Sequence, residues 1–154
     1  MAEDLCAISL DGEGQPVVHP GYRHVKLWAD ALDHFGDAFR GGRPVRSGLQ
    51  KYSVPLGGSV GGVPFRARRV YFLSSGRGRV FLQPINGKAK LAIIRANTYR
   101  RRLGKGCADA VQYFTTANAV ARSVEFVQVR RPLNLGRLGD VVRCLEADLR
   151  SDER

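Results

Sequence analysis

Glycine–lysine pairs are the residues of this chain that come nearest to a phosphate-binding motif. They occur at Gly87-Lys88 and at Gly104-Lys105. A Walker A loop cradles phosphate with backbone N–H groups, places a lysine on the β- and γ-phosphates, and follows it with a Ser or Thr hydroxyl for Mg²⁺. Here Ala89 and Gly106 follow the lysines, so neither pair completes the motif. The glycine-rich segment 57–62 has no lysine, and we interpret it as a flexible connection.

Two adjacent carboxylates, Glu3-Asp4, stand directly ahead of the first apolar run of the chain, Leu5–Leu10. Taken alone, such a pair is explained as an ordinary solvated terminus. Its position immediately before a predicted strand leaves open a role in a site.

Histidine and cysteine do not suggest a metal site or a catalytic dyad. The histidines are His19, His24 and His34. They have neither a carboxylate at ligand spacing nor an i, i+4 partner on a clear helix. The cysteines are Cys6, Cys107 and Cys144. Because they are odd in number and far apart, neither a disulfide framework nor a zinc ribbon is indicated, and we expect reduced, mostly buried thiols.

The strongly basic composition raises the question of an anionic partner. The net charge is +11, the pI is about 10.3, and arginine supplies 20 of the 25 basic residues. Clustered basic residues favour nucleic-acid binding. These are dispersed along the chain and no helix-turn-helix, zinc-finger or RNP pattern accompanies them. Solvated faces explain most of them, a phosphorylated or acidic partner is the next interpretation, and nucleic acid is the least favoured.

The length and hydropathy of the chain predict one globular domain, residues 1–154. No window reaches the roughly 18 consecutive apolar residues of a membrane span, and the N-terminus lacks the pattern of a signal peptide. We therefore expect a soluble cytoplasmic protein without a membrane partner.

Periodicity predicts a mixture of strands and helices. Residues 5–10 and 16–19 form a hairpin, since turn residues 11–14 separate two short apolar runs. Helical spacing then predicts a helix over residues 25–35, with Trp28 buried beneath the hairpin. Residues 37–48 are predicted to be a loop.

The rest of the chain is also predicted to contain both strands and helices. Further strands are predicted at residues 49–56, 65–73, 79–85 and 124–132, and further helices at 88–103, 108–122 and 135–149, the last capped by Asn134. Pro55 places its strand at a sheet edge or marks the end of the strand. The fold class that follows is α/β or α+β, with a mixed sheet and packed helices.

The order of several of these segments is similar to that of one known family. After the acid pair and hairpin, the family-like segments are Val25–Leu32, Lys51–Leu56, Val70–Leu73, Thr98–Leu103 and Val127–Pro132. In this order the chain resembles the C-terminal kinase domain of the HPr serine kinase family, in its branch of short HPr-kinase-related proteins. The likeness covers essentially the whole chain.

The resemblance implies a P-loop kinase fold of the HPr kinase and phosphoenolpyruvate carboxykinase type. Such a domain binds ATP and Mg²⁺ and phosphorylates a serine of a protein or peptide substrate. In the family the acid pair follows a P-loop, so the resemblance implies an incomplete, N-terminally truncated domain that does not bind ATP by itself. A separate protein carrying the P-loop half is then a possible partner, and an unpaired sheet edge predicts homo-oligomers.

The resemblance also implies roles for individual residues. Of Glu3 and Asp4, one carboxylate holds Mg²⁺ and the other accepts the proton of the substrate serine or orients its hydroxyl. Lys51 matches a recurrent basic position and contacts phosphate, although a solvated lysine at a sheet edge explains it as well. Arg100, Arg101 and Arg130 steer an acidic peptide, and helix-end electrostatics explains Arg100 and Arg101 equally well.

A function from another class remains open beside the kinase. The chain is then a non-catalytic basic module that holds an acidic peptide or nucleic acid. Salt-sensitive binding in the absence of nucleotide distinguishes this module from the kinase domain.

Overall fold

The computed structural model describes residues 5–21, 23–36, 41–57, 62–99 and 110–151. The chain divides into two compact units. The first contains Met1–Ala67 and Tyr99–Val120, and the second contains Arg68–Thr98 and Ala121–Arg154. Both strands and helices are present, which confirms the mixed α/β class.

A hairpin opens the first unit. Strands β1 (Ala7–Leu10) and β2 (Pro16–His19) pair antiparallel, with Ala7 opposite His19 and Leu10 opposite Pro16. Strand β6 (Phe65–Arg66) adds to the other side of β2, completing a three-stranded sheet in the order β1-β2-β6. The hairpin predicted from the apolar runs is therefore confirmed.

Asp11 closes the turn of this hairpin. Its Oδ1 accepts hydrogen bonds from the backbone N–H groups of Glu13 at 2.9 Å and Gln15 at 2.8 Å. Gly14 has φ of +75°, a left-handed conformation that an L side chain rarely adopts. Arg66 lies beside the turn and forms ion pairs with Asp11 and Glu13. Turn chemistry and charge thus both stabilise the register of β1 and β2.

The second sheet of this unit corrects a predicted helix. Residues His24–Trp28 form strand β3 rather than the first turn of a helix, and helix α1 covers only Ala29–Phe35. Strand β3 pairs antiparallel with β5 (Lys51–Pro55), and the short strand β4 (Arg43–Pro44) pairs with β5 on its other side. Val25 and Leu27 fit an alternating strand as well as a helix, and pairing with β5 decides between them.

Two further details of this sheet differ from expectation. The segment predicted to be a loop, residues 37–48, contains β4. Pro55 is the last residue of a central strand, in the order β3-β5-β4, so Pro55 ends the strand and does not mark an edge. Residues 58–61 of the glycine-rich connection lie outside the described part of the chain.

The second unit is built on a mixed three-stranded sheet. Strand β7 (Arg69–Ser75) runs parallel to β9 (Glu125–Arg131), and β8 (Phe81–Pro84) pairs antiparallel with the opposite side of β9. The central strand β9 is the most buried, and Val129 is fully inaccessible to solvent. The strand predicted over residues 65–73 is thus divided into β6 and β7, which belong to different sheets.

Helices α2 (Lys88–Asn97), α3 (Ala110–Ser123) and α4 (Leu138–Ser151) complete the described elements. A 3-10 turn, Leu135–Arg137, leads into α4. As predicted, Asn134 caps this turn, because its Oδ1 accepts a hydrogen bond of 2.9 Å from the backbone N–H of Gly136. Helix α2 ends earlier than predicted, with Thr98 at its C-cap.

A polar network joins β7 to α4. The side chain of Arg69 is only 7% exposed, and its guanidinium contacts the carboxylates of Glu125 and Asp148. The hydroxyl of Tyr71 donates a 2.7 Å hydrogen bond to Asp148 Oδ2. Burial raises the pKa of Tyr71 above its ordinary value, and the neighbouring Asp148 acts in the same direction while Arg69 opposes it. The network therefore holds α4 on the sheet face that carries Arg69 and Tyr71.

None of the helices within the described residues is both long enough and apolar enough to cross a bilayer.

Candidate anion-binding site

The strongest candidate site of the second unit lies at the carboxyl ends of β7 and β9. Strands β7 and β8 flank β9, so residues 76–80, which connect them, cross the end of the central strand. The backbone N–H of Gly76 donates a 2.9 Å hydrogen bond to the carbonyl oxygen of Arg131 and fixes the start of this crossing. In open α/β sheets, ligands bind outside the carboxyl ends of parallel strands.

Four arginines lie at this end of the sheet, two on the connection and two at the end of β9, and we call them the arginine cluster: Arg77, Arg79, Arg130 and Arg131. Because side chains alternate along a strand, Arg130 and Arg131 leave β9 on opposite faces. Ser75 lies opposite Arg131, two residues before Arg77, and Phe81 lies opposite Arg130, two residues after Arg79. Register therefore brings the connection and the end of β9 together. The ion pairs between described residues involve none of the four arginines.

Gly76 allows the side chain of Arg130 to lie against the backbone of the connection. A Cβ atom built on Gly76 would lie 2.7 Å from Cγ and 2.8 Å from Nε of Arg130. Such distances are shorter than van der Waals contact. A side chain at position 76 would therefore displace Arg130, and glycine is needed for this close approach.

Arg130 shares one face of the sheet with an uncharged polar pair. Side chains alternate along β9, so Phe126, Gln128 and Arg130 point to the same side. Gln128 Nε2 donates a 3.2 Å hydrogen bond to Ser74 Oγ across the parallel pairing. Phe81, opposite Arg130 on β8, is 51% exposed. The site thus offers guanidinium groups, an amide, a hydroxyl and an exposed ring.

Lys90 lies on the same face, but its ammonium already contacts other groups of the protein. Its Nζ donates hydrogen bonds to the carbonyl oxygens of Ala121 at 3.1 Å and Val124 at 2.8 Å. The same ammonium lies 5.5 Å from the ring centroid of Phe126. Lys90 therefore joins α2 to the end of α3 and is not part of the candidate site.

The chemistry available at the arginine cluster is anion recognition. Guanidinium groups remain charged at all accessible pH values and bind carboxylates or phosphates through paired N–H donors. Within the described residues, no group of His, Cys, Asp and Glu side chains is arranged to hold a metal ion. The arrangement is suited to binding an acidic or phosphorylated ligand.

Only part of the predicted site can be placed. Glu3, Asp4, Arg100 and Arg101 lie outside the described residues, so their proposed roles stay predictions. Arg130 ends β9 in the second unit, and Lys51 begins β5 in the first.

Lys51 is not on a sheet edge, because β5 is the central strand of its sheet. It lies directly opposite Trp28, and its Nζ is 5.7 Å from the centroid of the indole ring. Trp28 is 53% exposed, so the prediction that it is buried beneath the hairpin is wrong. Lys51 thus lies beside an exposed aromatic ring.

Sequence reasoning missed the arginines that accompany Arg130. Because Arg77 and Arg79 are far from Arg130 along the chain, the sequence alone counts them among the dispersed basic residues. The alternation Gly76-Arg77-Gly78-Arg79 between two predicted strands was the available signal. Cys6 also differs from expectation, since it is exposed, and Cys144 is partly buried.

Comparisons with protein-family models, with curated proteins and with solved structures gave no match.

Proposed function

We propose that the chain forms part of an HPr-kinase-like serine kinase domain, in which the arginine cluster binds an acidic or phosphorylated segment of the protein partner. Two independent observations support the proposal. The first is the order of the family-like segments in the sequence. The second, which carries the anion-binding part, is that strand register places four arginines at the carboxyl ends of β7 and β9, and none of them has an ion pair with a carboxylate of the described residues.

The binding step rests on electrostatics and geometry. The side chain of Arg130 lies against Gly76, and Arg131 ends β9. Arg77 and Arg79 lie on the connection between β7 and β8. A phosphate or carboxylate group placed here accepts several charge-assisted hydrogen bonds. The net charge of +11 on the chain attracts an anionic partner from a distance.

The phosphoryl transfer of the proposed kinase requires groups other than the arginine cluster. ATP supplies the transferred phosphoryl group, and Mg²⁺ neutralises its charge. The residues that the structure describes do not fit a magnesium–nucleotide site, because they include no carboxylate cluster suited to a metal and the sequence has no Walker A loop. In the proposal, Glu3 and Asp4 are the side chains that meet magnesium and the serine hydroxyl once a P-loop protein is present.

Fluorescence anisotropy with a labelled acidic peptide containing phosphoserine tests the binding step. Replacement of a guanidinium by a neutral amide removes a charge-assisted interaction, so Arg130→Gln and Arg79→Gln should each weaken binding by about tenfold or more. Arg95→Gln is the matched control, because Arg95 is an exposed arginine of α2 away from the cluster. Equal affinities for Arg130→Gln and Arg95→Gln would overturn the proposal.

Nucleotide dependence separates the kinase from a non-catalytic basic module. If the chain, supplied with a P-loop segment and Mg²⁺–ATP, phosphorylates serine peptides, the kinase assignment is supported. Persistent salt-sensitive peptide binding, without any phosphoryl transfer under these conditions, would instead assign the chain to the non-catalytic class.

A further inference from the structure

The sheet of β3, β5 and β4 in the first unit has two chemically different faces. One face carries Val25, Leu27, Tyr52 and Val54, and Val54 is only 1% exposed. Because side chains alternate and directly paired residues share a face, the register defines the opposite set. We call this set the cationic face: His24, Lys26, Trp28, Arg43, Lys51 and Ser53.

The cationic face carries an exposed aromatic ring among positive charges. Trp28, at the end of β3, is half-exposed, and the ammonium of Lys51 lies 5.7 Å from its ring centroid. Lys26 is two residues away on the same strand, at about 6.8 Å for a rise of 3.4 Å per residue. Arg43 lies opposite Ser53, next to the position of Lys51 on that face. One exposed indole therefore shares a sheet face with three basic side chains from three strands.

Negative charge is absent from these strands. None of β3, β4 and β5 contains Asp or Glu, and neither does the whole segment 41–57. On the hairpin of the same unit, Asp11 and Glu13 form their ion pairs with Arg66. All charged side chains that strands β3, β4 and β5 contribute to the cationic face are therefore basic or histidine.

We propose that the cationic face binds single-stranded nucleic acid, with a base stacked on Trp28 and backbone phosphates contacted by Arg43 and Lys51. Proteins that bind single strands combine a basic groove with aromatic side chains on which bases stack. An acidic peptide uses the cations but has no planar group for an exposed indole. The combination of ring and cations on one sheet face favours a nucleic-acid strand, and this inference does not depend on the proposed kinase function.

Trp28 makes the proposal directly measurable, because it is the one tryptophan of the chain. Addition of unlabelled oligo(dT) or oligo(U) should quench its fluorescence, since a stacked base contacts the indole. The same titration with duplex DNA should give weaker binding, because paired bases cannot stack on a side chain. Anisotropy with a fluorescein-labelled single strand provides an affinity independent of Trp28.

Substitutions separate stacking from charge. Trp28→Leu should weaken single-strand binding by about 5- to 150-fold, the equivalent of the stacking energy of one base, whereas Trp28→Phe should retain most of it. Lys51→Gln should weaken binding and reduce the slope of log K against log salt by roughly 0.7, the value for one lost phosphate contact to a single strand. Lys88→Gln makes an equal change of charge in α2 of the second unit. It should change the affinity and the salt slope only through its long-range electrostatic effect.

Four outcomes would overturn the proposal. They are unquenched Trp28 at saturating oligonucleotide, equal affinity of Trp28→Leu and wild type, equal affinity for single and double strands, and quenching by a phosphoserine peptide but not by oligonucleotide. The last result would assign the cationic face to a phosphorylated protein. Circular dichroism of each variant establishes that it is folded, and retained binding by Trp28→Phe shows that the loss in Trp28→Leu is due to the missing ring.

Discussion

Arg69 of β7 donates a 2.7 Å hydrogen bond to Oδ2 of Asp148 on α4. The same carboxylate oxygen accepts from Tyr71, so one acidic side chain of the last helix satisfies two donors of the sheet. Glu125 provides the second carboxylate for Arg69, at 2.9 Å from Nε. Since the guanidinium is almost fully buried, each of these contacts replaces water that the arginine has lost.

Loss of Asp148 should therefore destabilise the second unit. Asp148→Ala leaves the buried Arg69 with Glu125 as its remaining carboxylate partner in the network and leaves the Tyr71 hydroxyl without its acceptor. We expect the free energy of unfolding to fall by about 1–3 kcal/mol in urea denaturation. Glu146→Ala is the control on the same helix, because its contact with Arg150 is a 3.5 Å exposed pair. A loss of about 0.5 kcal/mol or less is expected there.

Alkaline pH should test the environment of Tyr71. Burial raises its folded-state pKa above the ordinary value of about 10. A raised pKa means that the folded state holds the proton more tightly. The resulting stabilisation is fully present below about pH 10 and is lost as pH rises through the folded-state pKa. Urea denaturation above pH 10 should consequently show a steeper decline for wild type than for Tyr71→Phe, and parallel declines would contradict this assignment.

Acid should weaken the hairpin of the first unit through Asp11. The backbone N–H of Gln15 is the main cause that lowers the pKa of Asp11, with further contributions from Glu13 and Arg66 against the opposing effect of burial. Stabilisation by a lowered pKa is present above the ordinary value of about 4 and is lost as pH falls through the folded-state pKa. Wild type should melt above Asp11→Asn at neutral pH, and the difference should disappear in acid. A difference independent of pH would show that charge on Asp11 is unimportant.

Gly76→Ala should impair the arginine cluster without unfolding the sheet. The new methyl group occupies the position of the Arg130 side chain, while the backbone N–H that bonds to Arg131 is retained. We expect weaker phosphopeptide binding, comparable in direction to Arg130→Gln, with an unchanged circular dichroism spectrum. Gly78→Ala is a poorer probe, because Gly78 has φ of +86° and the substitution strains the turn itself.

The kinase part of the proposal predicts a dependence on an added P-loop. The chain alone should not hydrolyse ATP, because it has no glycine-rich loop with a following Lys-Ser or Lys-Thr pair. With a P-loop segment from an HPr-kinase-like protein joined ahead of residue 1, magnesium-dependent turnover is expected. Asp4→Asn should then reduce its rate by about 10²–10⁴-fold, the effect of losing a general base. Equal rates for the two folded proteins would reject the role of Asp4.

Several elements were predictable because local pattern and tertiary structure agree. The hairpin of β1 and β2 follows from two short apolar runs separated by Asp and Gly, because the side chain of Asp11 closes the turn through hydrogen bonds to residues of the turn itself. Strand β9 follows from strict alternation, and the start of α4 follows from Asn134, which caps the turn next to it.

The strand His24–Trp28 shows where local pattern is insufficient. Val25 and Leu27 suit either a helix or a strand, and the choice is made by hydrogen bonds to β5, which lies more than twenty residues away. The same pairing turns Trp28 onto the polar face beside Lys51, where it is exposed. Periodicity identifies apolar positions but does not identify the partner strand that determines which face is buried.

The candidate site likewise required the tertiary structure. The sequence alone established the excess of arginine, the missing Walker A motif and the mixed α/β class. It did not show that Arg77, Arg79, Arg130 and Arg131 belong to the same end of one sheet, because β7 and β9 are separated by about 50 residues and become neighbours only through parallel pairing. Composition and short-range periodicity are properties of the chain, whereas the placement of these charges depends on long-range strand register, and that register was decided only by the folded structure.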